Sequence, residues 1–182
     1  MPNYIRDRTP GGTWFFTVVT FERRTFLCDA PVRAALRTAI QRVQSKYPFT
    51  INAWVLLPDH FHCVWTLPRG DSNFSLRIGL IKRAVTLQCK SLSSAKDDQS
   101  ATRGKRREAN VWQRRFCEHL IKDEKDLRNH LDYIHHNPVK HGYCQTPSEW
   151  PYSTIHKFIA NGTYPVGWAT TLPTDFRVKQ RD

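Results

Sequence analysis

Apolar and polar positions follow two different periods along this chain, and the switches between them mark its elements. Residues 13–21, TWFFTVVTF, are dense in aromatic and β-branched side chains and predict a first strand. Asp29-Ala30-Pro31 then reads as a helix start, with Asp as cap and Pro in the first turn. Val32, Leu36, Ala39, Ile40 and Val43 recur at helical spacing while Arg33, Arg37 and Arg42 fall off that stripe, so the helix runs to about Lys46, and Pro48 ends it. INAWVLLP (51–58) and the run around HFHCVWTL (60–67) predict two strands joined by the turn Pro58-Asp59, a hairpin. After the turn Pro68-Arg69-Gly70-Asp71 a second helix is predicted over 73–88. Its buried stripe is Leu76, Leu80, Ile81, Ala84 and Leu87, and its basic side Arg77, Lys82 and Arg83.

Residues 91–110 break the pattern. They are polar, lack aromatics and end in the basic run Arg103, Lys105, Arg106 and Arg107, which predicts a mobile loop. Residues 111–121, VWQRRFCEHLI, read as a further strand, with Trp112 and Phe116 as core residues. Asp123-Glu124 opens a third helix with acids at its positive end. Leu127, Leu131 and Ile134 line its apolar face. Pro138 restricts the residue before it, which predicts fraying at about His136–Asn137.

Composition adds a class of partner. The 182 residues suit one domain spanning 1–182, with a loose tail at 170–182. A net charge of +12 favours a polyanion, nucleic acid before acidic membrane. No apolar run approaches the ~18 residues of a membrane span, and the first dozen residues carry no signal-peptide core, so a cytoplasmic protein is expected. Cys28, Cys63, Cys89, Cys117 and Cys144 are odd in number, scattered and free of CxxC spacing, which argues against a disulfide framework or a zinc knuckle.

Two places carry chemistry. In the second hairpin strand His60 and His62 are two apart, so they project from one face, with Cys63 on the other; spacing alone favours a pair of half-exposed strand residues, and half of a metal site becomes the reading only if a further ligand comes from elsewhere in the chain. In the third helix Tyr133 and Asn137 are four apart and share a side, among His130, His135 and His136. Cations that suit phosphate contacts are Arg23 and Arg24 at the end of the first strand, Arg83, the loop residues Arg103, Lys105, Arg106 and Arg107, then Arg114, Arg115 and Lys140.

Three blocks, LLPDHFHCVW, VWQRRFCEHLIKDEKDLRNHLDYIHHNPVKHG and PSEWPYSTIHKFIANGTYP, together resemble the REP-associated tyrosine transposases, a branch of the HUH single-tyrosine enzymes. The resemblance implies an α+β, ferredoxin-like sandwich: a central antiparallel sheet with helices packed on it. It implies cleavage and rejoining of single-stranded DNA hairpins from repetitive palindromic (REP) elements, with Tyr133 as nucleophile in a 5′-phosphotyrosine intermediate. His60, His62 and Asn137 would hold a divalent cation, Mg²⁺ or Mn²⁺. Insertion-sequence relatives often carry Gln where this chain has Asn137, so His136 competes for the third position. Either histidine, His130 or His136, or a water is open as the base. The resemblance implies a monomer, with dimers known among related transposases. The rival reading is a domesticated hairpin binder without catalysis.

Overall fold

The computed structural model describes residues 9–89 and 110–168. Its frame is a four-stranded antiparallel sheet of β1 (Thr13–Val19), β2 (Thr50–Leu56), β3 (His60–Thr66) and β4 (Cys117–Leu120), in the order β2-β3-β1-β4. Helices α1 (Ala30–Lys46) and α2 (Phe74–Gln88) connect β1 to β2 and β3 to β4. This is the βαββαβ order of a ferredoxin-like α+β fold, as expected. Helix α3 (Glu124–Lys140) follows, then the short α4 (Ile155–Ala160).

Strand alternation sorts the side chains into two cores. Trp14, Phe16 and Val18 of β1 and Phe61, Cys63 and Trp65 of β3 point to one face, where Val32, Leu36, Ala39 and Val43 of α1 and Ile78, Ile81 and Val85 of α2 cover them. Phe15, Val55 and Val64 point to the other, under Tyr133 and Ile134 of α3. Each such large apolar side chain contributes roughly 1.5–3 kcal/mol on burial. The β1–β3 register pairs Val19 with His60 and Thr17 with His62. A one-residue slip would turn both imidazoles into the α1/α2 core and eject Phe61 and Cys63, so the apolar pattern that folds the sheet also fixes where the histidines point.

Several boundaries differ from the sequence expectation, each for a local reason. Strand β1 stops at Val19 because the chain turns at Phe21–Arg23, where Glu22 and Arg23 take left-handed φ of 52° and 53°. The segment 111–121 gives only the four residues of β4; upstream, Trp112 bridges Thr20 and donates its indole N–H to Lys82 O. Helix α2 begins as predicted but is rotated about its axis. Phe74, Arg77, Ile78, Ile81 and Val85 face inward, whereas Leu76 and Leu87 are exposed. Phe74 sets this phase by packing on Trp14 and Phe16. Arg77 can follow it inside because its guanidinium donates to Tyr47 O, Pro48 O and Asn73 O and to the carboxylate of Asp71.

A fourth correction shapes the site. Helix α3 does not fray before Pro138; it runs to Lys140 with Pro138 buried inside it. Gly142, at φ 73°, ends it instead: Tyr143 N–H donates to Pro138 O and Gly142 N–H to Val139 O, the paired bonds of a Schellman cap. The extra turn carries Lys140 and His141 along the face that holds Tyr133 and Asn137. After it, residues 150–154 run along β2: Trp150 Nε1 donates to Leu56 O, and Thr154 N–H and Oγ1 to Trp54 O.

Candidate active site

The two strand histidines lie with their rings 4.8 Å apart, edge to face, on the sheet surface that α3 covers. His60 Nδ1 sits 2.6 Å from a carboxylate oxygen of Asp59. An ionised carboxylate only accepts, so Nδ1 carries a proton, and in the neutral ring Nε2 is the nitrogen left to bind a cation. Asp59 is ionised in spite of burial, which by itself raises its pKa; the bonds from His60 and from Arg23, at 3.1 Å, carry it down to about 2. This is the carboxylate–histidine arrangement that orients imidazole ligands. His62 is wholly buried. Its Nδ1 lies 2.8 Å from Thr17 Oγ1, and its Nε2 has no hydrogen-bond partner. Burial holds the ring neutral, well below the usual histidine pKa, and the positive groups around it act the same way.

Helix α3 brings Tyr133 over this pair. Its ring is 5.2 Å from that of His62 and 5.9 Å from Phe15, both edge-on. Burial raises the phenol's pKa, while the amide of Asn137 and the charge of Arg23 lower it in part. The Lys140 ammonium stands 4.9 Å from the Tyr133 ring centre. Asn137 is buried, and neither Oδ1 nor Nδ2 meets a partner at hydrogen-bonding geometry. A buried amide held only loosely against the Tyr133 phenol and a buried imidazole nitrogen without a partner are costly, about 1–3 kcal/mol per group, unless a ligand takes them up. The nitrogen and oxygen donors of His60, His62 and Asn137 suit a divalent cation of the Mn²⁺ or Mg²⁺ type, so the residues present fit such an ion.

The sequence reading missed His141, whose ring is 5.1 Å from that of His60. Its signal was present: four residues after Asn137 and eight after Tyr133, it continues their stripe once the helix is allowed to pass Pro138. His136 is half-buried and makes no ring contact with either strand histidine among the described residues. His130 belongs to a different group. Its Nδ1 is 2.8 Å from Asp126 O, its ring stacks on His119 at 4.6 Å, and Phe15 contacts both it and His62. His119, Asp126 and His130 form a second cluster of metal-type donors, within 4.8 Å of one another.

The cations are more scattered than the chemistry. Arg23 is largely exposed beside Asp59, and Lys140 beside Tyr133. Arg24 is partly turned inward, donating to Asn110 O and lying over Phe26. Arg114 and Arg115 are exposed ahead of β4, and Arg83 is exposed on α2, across the sheet from Tyr133. Arg103, Lys105, Arg106 and Arg107 lie outside the described residues, as does the tail 170–182. No helix among the described residues is long and apolar enough to cross a membrane, and all five cysteines are free thiols.

Residues 13–137 match the family described as "Transposase IS200 like". The chain is 45% identical over 181 residues to the REP-associated tyrosine transposase of Escherichia coli strain K12, covering 100% of this chain and 98% of that one. Among solved structures it is similar to a REP-associated tyrosine transposase bound to a REP hairpin, with 44% identity, a TM-score of 0.79 and 96% of each chain covered.

Proposed function

The chain belongs to the IS200-like transposase family, and on that premise we propose that it cuts and rejoins single-stranded DNA at REP-like hairpins through a covalent link to Tyr133. The observation that carries this reading is the juxtaposition of a buried tyrosine with three unpartnered polar atoms, His62 Nε2 and both ends of the Asn137 amide. A module that only grips hairpins needs neither. His60, His62 and Asn137 would hold the divalent ion; bound there, it would polarise the scissile phosphate and stabilise the departing 3′ oxygen.

The protein's own residues do the rest. Asp59 fixes the His60 tautomer and Thr17 the His62 ring, so both are aimed before substrate arrives. Tyr133 Oη attacks phosphorus; the Oη–P bond forms, the P–O3′ bond breaks, and the phenolic proton passes through water to the leaving 3′ oxygen. An ordinary phenol, with a pKa of about 10, costs about 4 kcal/mol to ionise at pH 7. Burial of Tyr133 adds to that, and the Asn137 amide, Arg23 and the Lys140 charge offset it. Because the phosphodiester energy stays in the tyrosine link, a second 3′-OH reverses the step and seals the strand.

End analysis of the products tests this. A hairpin oligonucleotide incubated with the protein and Mn²⁺ should yield a 3′-OH end that a polymerase extends and a 5′ end that resists phosphatase and kinase. Chelator should abolish both. Products with free 5′-phosphates, also formed by Tyr133→Phe, would point to an activated water instead.

A further inference from the structure

A line of rings leads away from the strand histidines. His141 lies edge-on to His60 at 5.1 Å and nearly parallel to Tyr143 at 6.1 Å; Tyr143 stacks on Trp150 at 5.4 Å; Trp150 meets Tyr152 edge-on at 5.6 Å, and the Arg33 guanidinium lies over Tyr152 at 4.4 Å. We propose that this line is a stacking track for the unpaired bases that flank the hairpin stem, with Tyr143 as its open rung. The proposal rests on the DNA-cutting reading above and names where the single strand lies within it.

Four observations carry it. Tyr143 is 41% exposed, one of the few large apolar side chains left in solvent among the described residues, and it packs in neither core. Its neighbours are fixed: Trp150 is pinned to β2 through its bond to Leu56 O, and the backbone at Tyr143 is held by the helix cap. A rigid, exposed ring between fixed rings is a platform, since stacking on it orders little of the protein. The track begins at the proposed scissile site and is flanked by cations. Arg23 stands beside Asp59 next to His60, Lys140 stands over Tyr133, and Arg33 closes the far end. Rings for bases with cations for phosphates are the composition of a single-strand groove. Finally, His141, Tyr143, Trp150 and Tyr152 lie together on the short stretch that follows α3 and returns along β2, so one continuous segment of chain presents the whole line.

The test compares two substrates on a catalytically silent background, Tyr133→Phe, with binding measured by fluorescence anisotropy in chelator. One is a blunt hairpin; the other carries a short single-stranded extension at the stem base, with 2-aminopurine as a stacking reporter. Tyr143→Ala should weaken the extended hairpin roughly 5- to 150-fold, the range for one base on one ring, quench less 2-aminopurine fluorescence, and leave the blunt hairpin unchanged. Tyr143→Phe should restore both signals. Equal affinity of Tyr143→Ala and its parent for the extended hairpin overturns the track, as does an equal loss on both substrates. A dimer of the parent that Tyr143→Ala dissolves in sedimentation would also overturn it, by assigning the ring to a second copy of the chain. If wild type forms no covalent adduct while the Tyr143-dependent preference persists, the cutting reading fails and the track stands.

Discussion

Arg77 is the sharpest prediction about the fold, because its charge suggests one role and its position another. It is 1% exposed, inside the α1/α2 layer, and donates four hydrogen bonds: to Tyr47 O at 3.2 Å, Asn73 O at 3.0 Å, Pro48 O at 2.9 Å and Asp71 Oδ2 at 2.6 Å. Arg77→Met keeps most of the stem and removes the donors. Asp71, about one third exposed, turns to water at little cost. The carbonyls of Tyr47, half-buried, and Pro48, exposed, lose bonds to a charged donor, at about 1.5–3 kcal/mol each before water replaces part of it. Recovered desolvation of the guanidinium offsets part of this. The net loss is about 2–4 kcal/mol, within the ~5–15 kcal/mol that holds a domain together, so the variant still folds. Urea denaturation followed by circular dichroism measures it. Hairpin binding by the folded variant should keep the parent's salt slope, since a buried cation releases no counterion from DNA. A destabilisation below about 1 kcal/mol, or a slope reduced by about one phosphate contact, would refute the burial argument.

Other consequences follow from the site and the charge. Asp59→Ala frees both His60 Nδ1 and Arg23, and should weaken Mn²⁺ binding about 10- to 100-fold by calorimetry; unchanged affinity would show that His60 is not oriented through Asp59. Burial keeps His135 neutral, its pKa down to about 3, and lowers that of His130. Below the unfolded value of about 6.5 the unfolded chain therefore binds protons that the folded one refuses, and stability falls as pH drops, by at most about 1.4 kcal/mol per pH unit for each ring. Urea midpoints taken in chelator between pH 7 and 4 should decline; a flat profile would mean that these rings are protonated in the fold. With a net charge of +12, hairpin affinity should fall steeply and log-linearly with salt, and constancy from 50 to about 200 mM would remove the electrostatic account.

What the sequence made legible were the features that local chemistry decides. The hairpin of β2 and β3, the start of α1 at Asp29-Ala30-Pro31 and the common face of His60 and His62 follow from period-two alternation and turn residues, and the structure has all of them. The phase of α2 was not legible. Its inward stripe contains Arg77, and only the tertiary acceptors at Tyr47, Pro48 and Asp71 make that position tolerable inside. The length of α3 was misjudged because Pro138 was weighed as a stop and Gly142 was not. A buried proline near a helix end forfeits one bond, whereas a glycine able to adopt φ 73° completes the cap. That error hid His141, and with it the start of the ring line. Tyr133 and Asn137 share one side of α3, as predicted, because the i,i+4 rule survives any uncertainty about where the helix stops.

The most direct measurement is the mass of the tryptic peptide spanning residues 129–140 after the wild-type protein has reacted with a short hairpin oligonucleotide and Mn²⁺. Tyr133 is the only tyrosine in that peptide. A species heavier by the 5′-phosphorylated fragment is expected, absent with chelator and absent from Tyr133→Phe. Cleaved DNA accompanied by an unmodified peptide, or an adduct on any other residue, would contradict it.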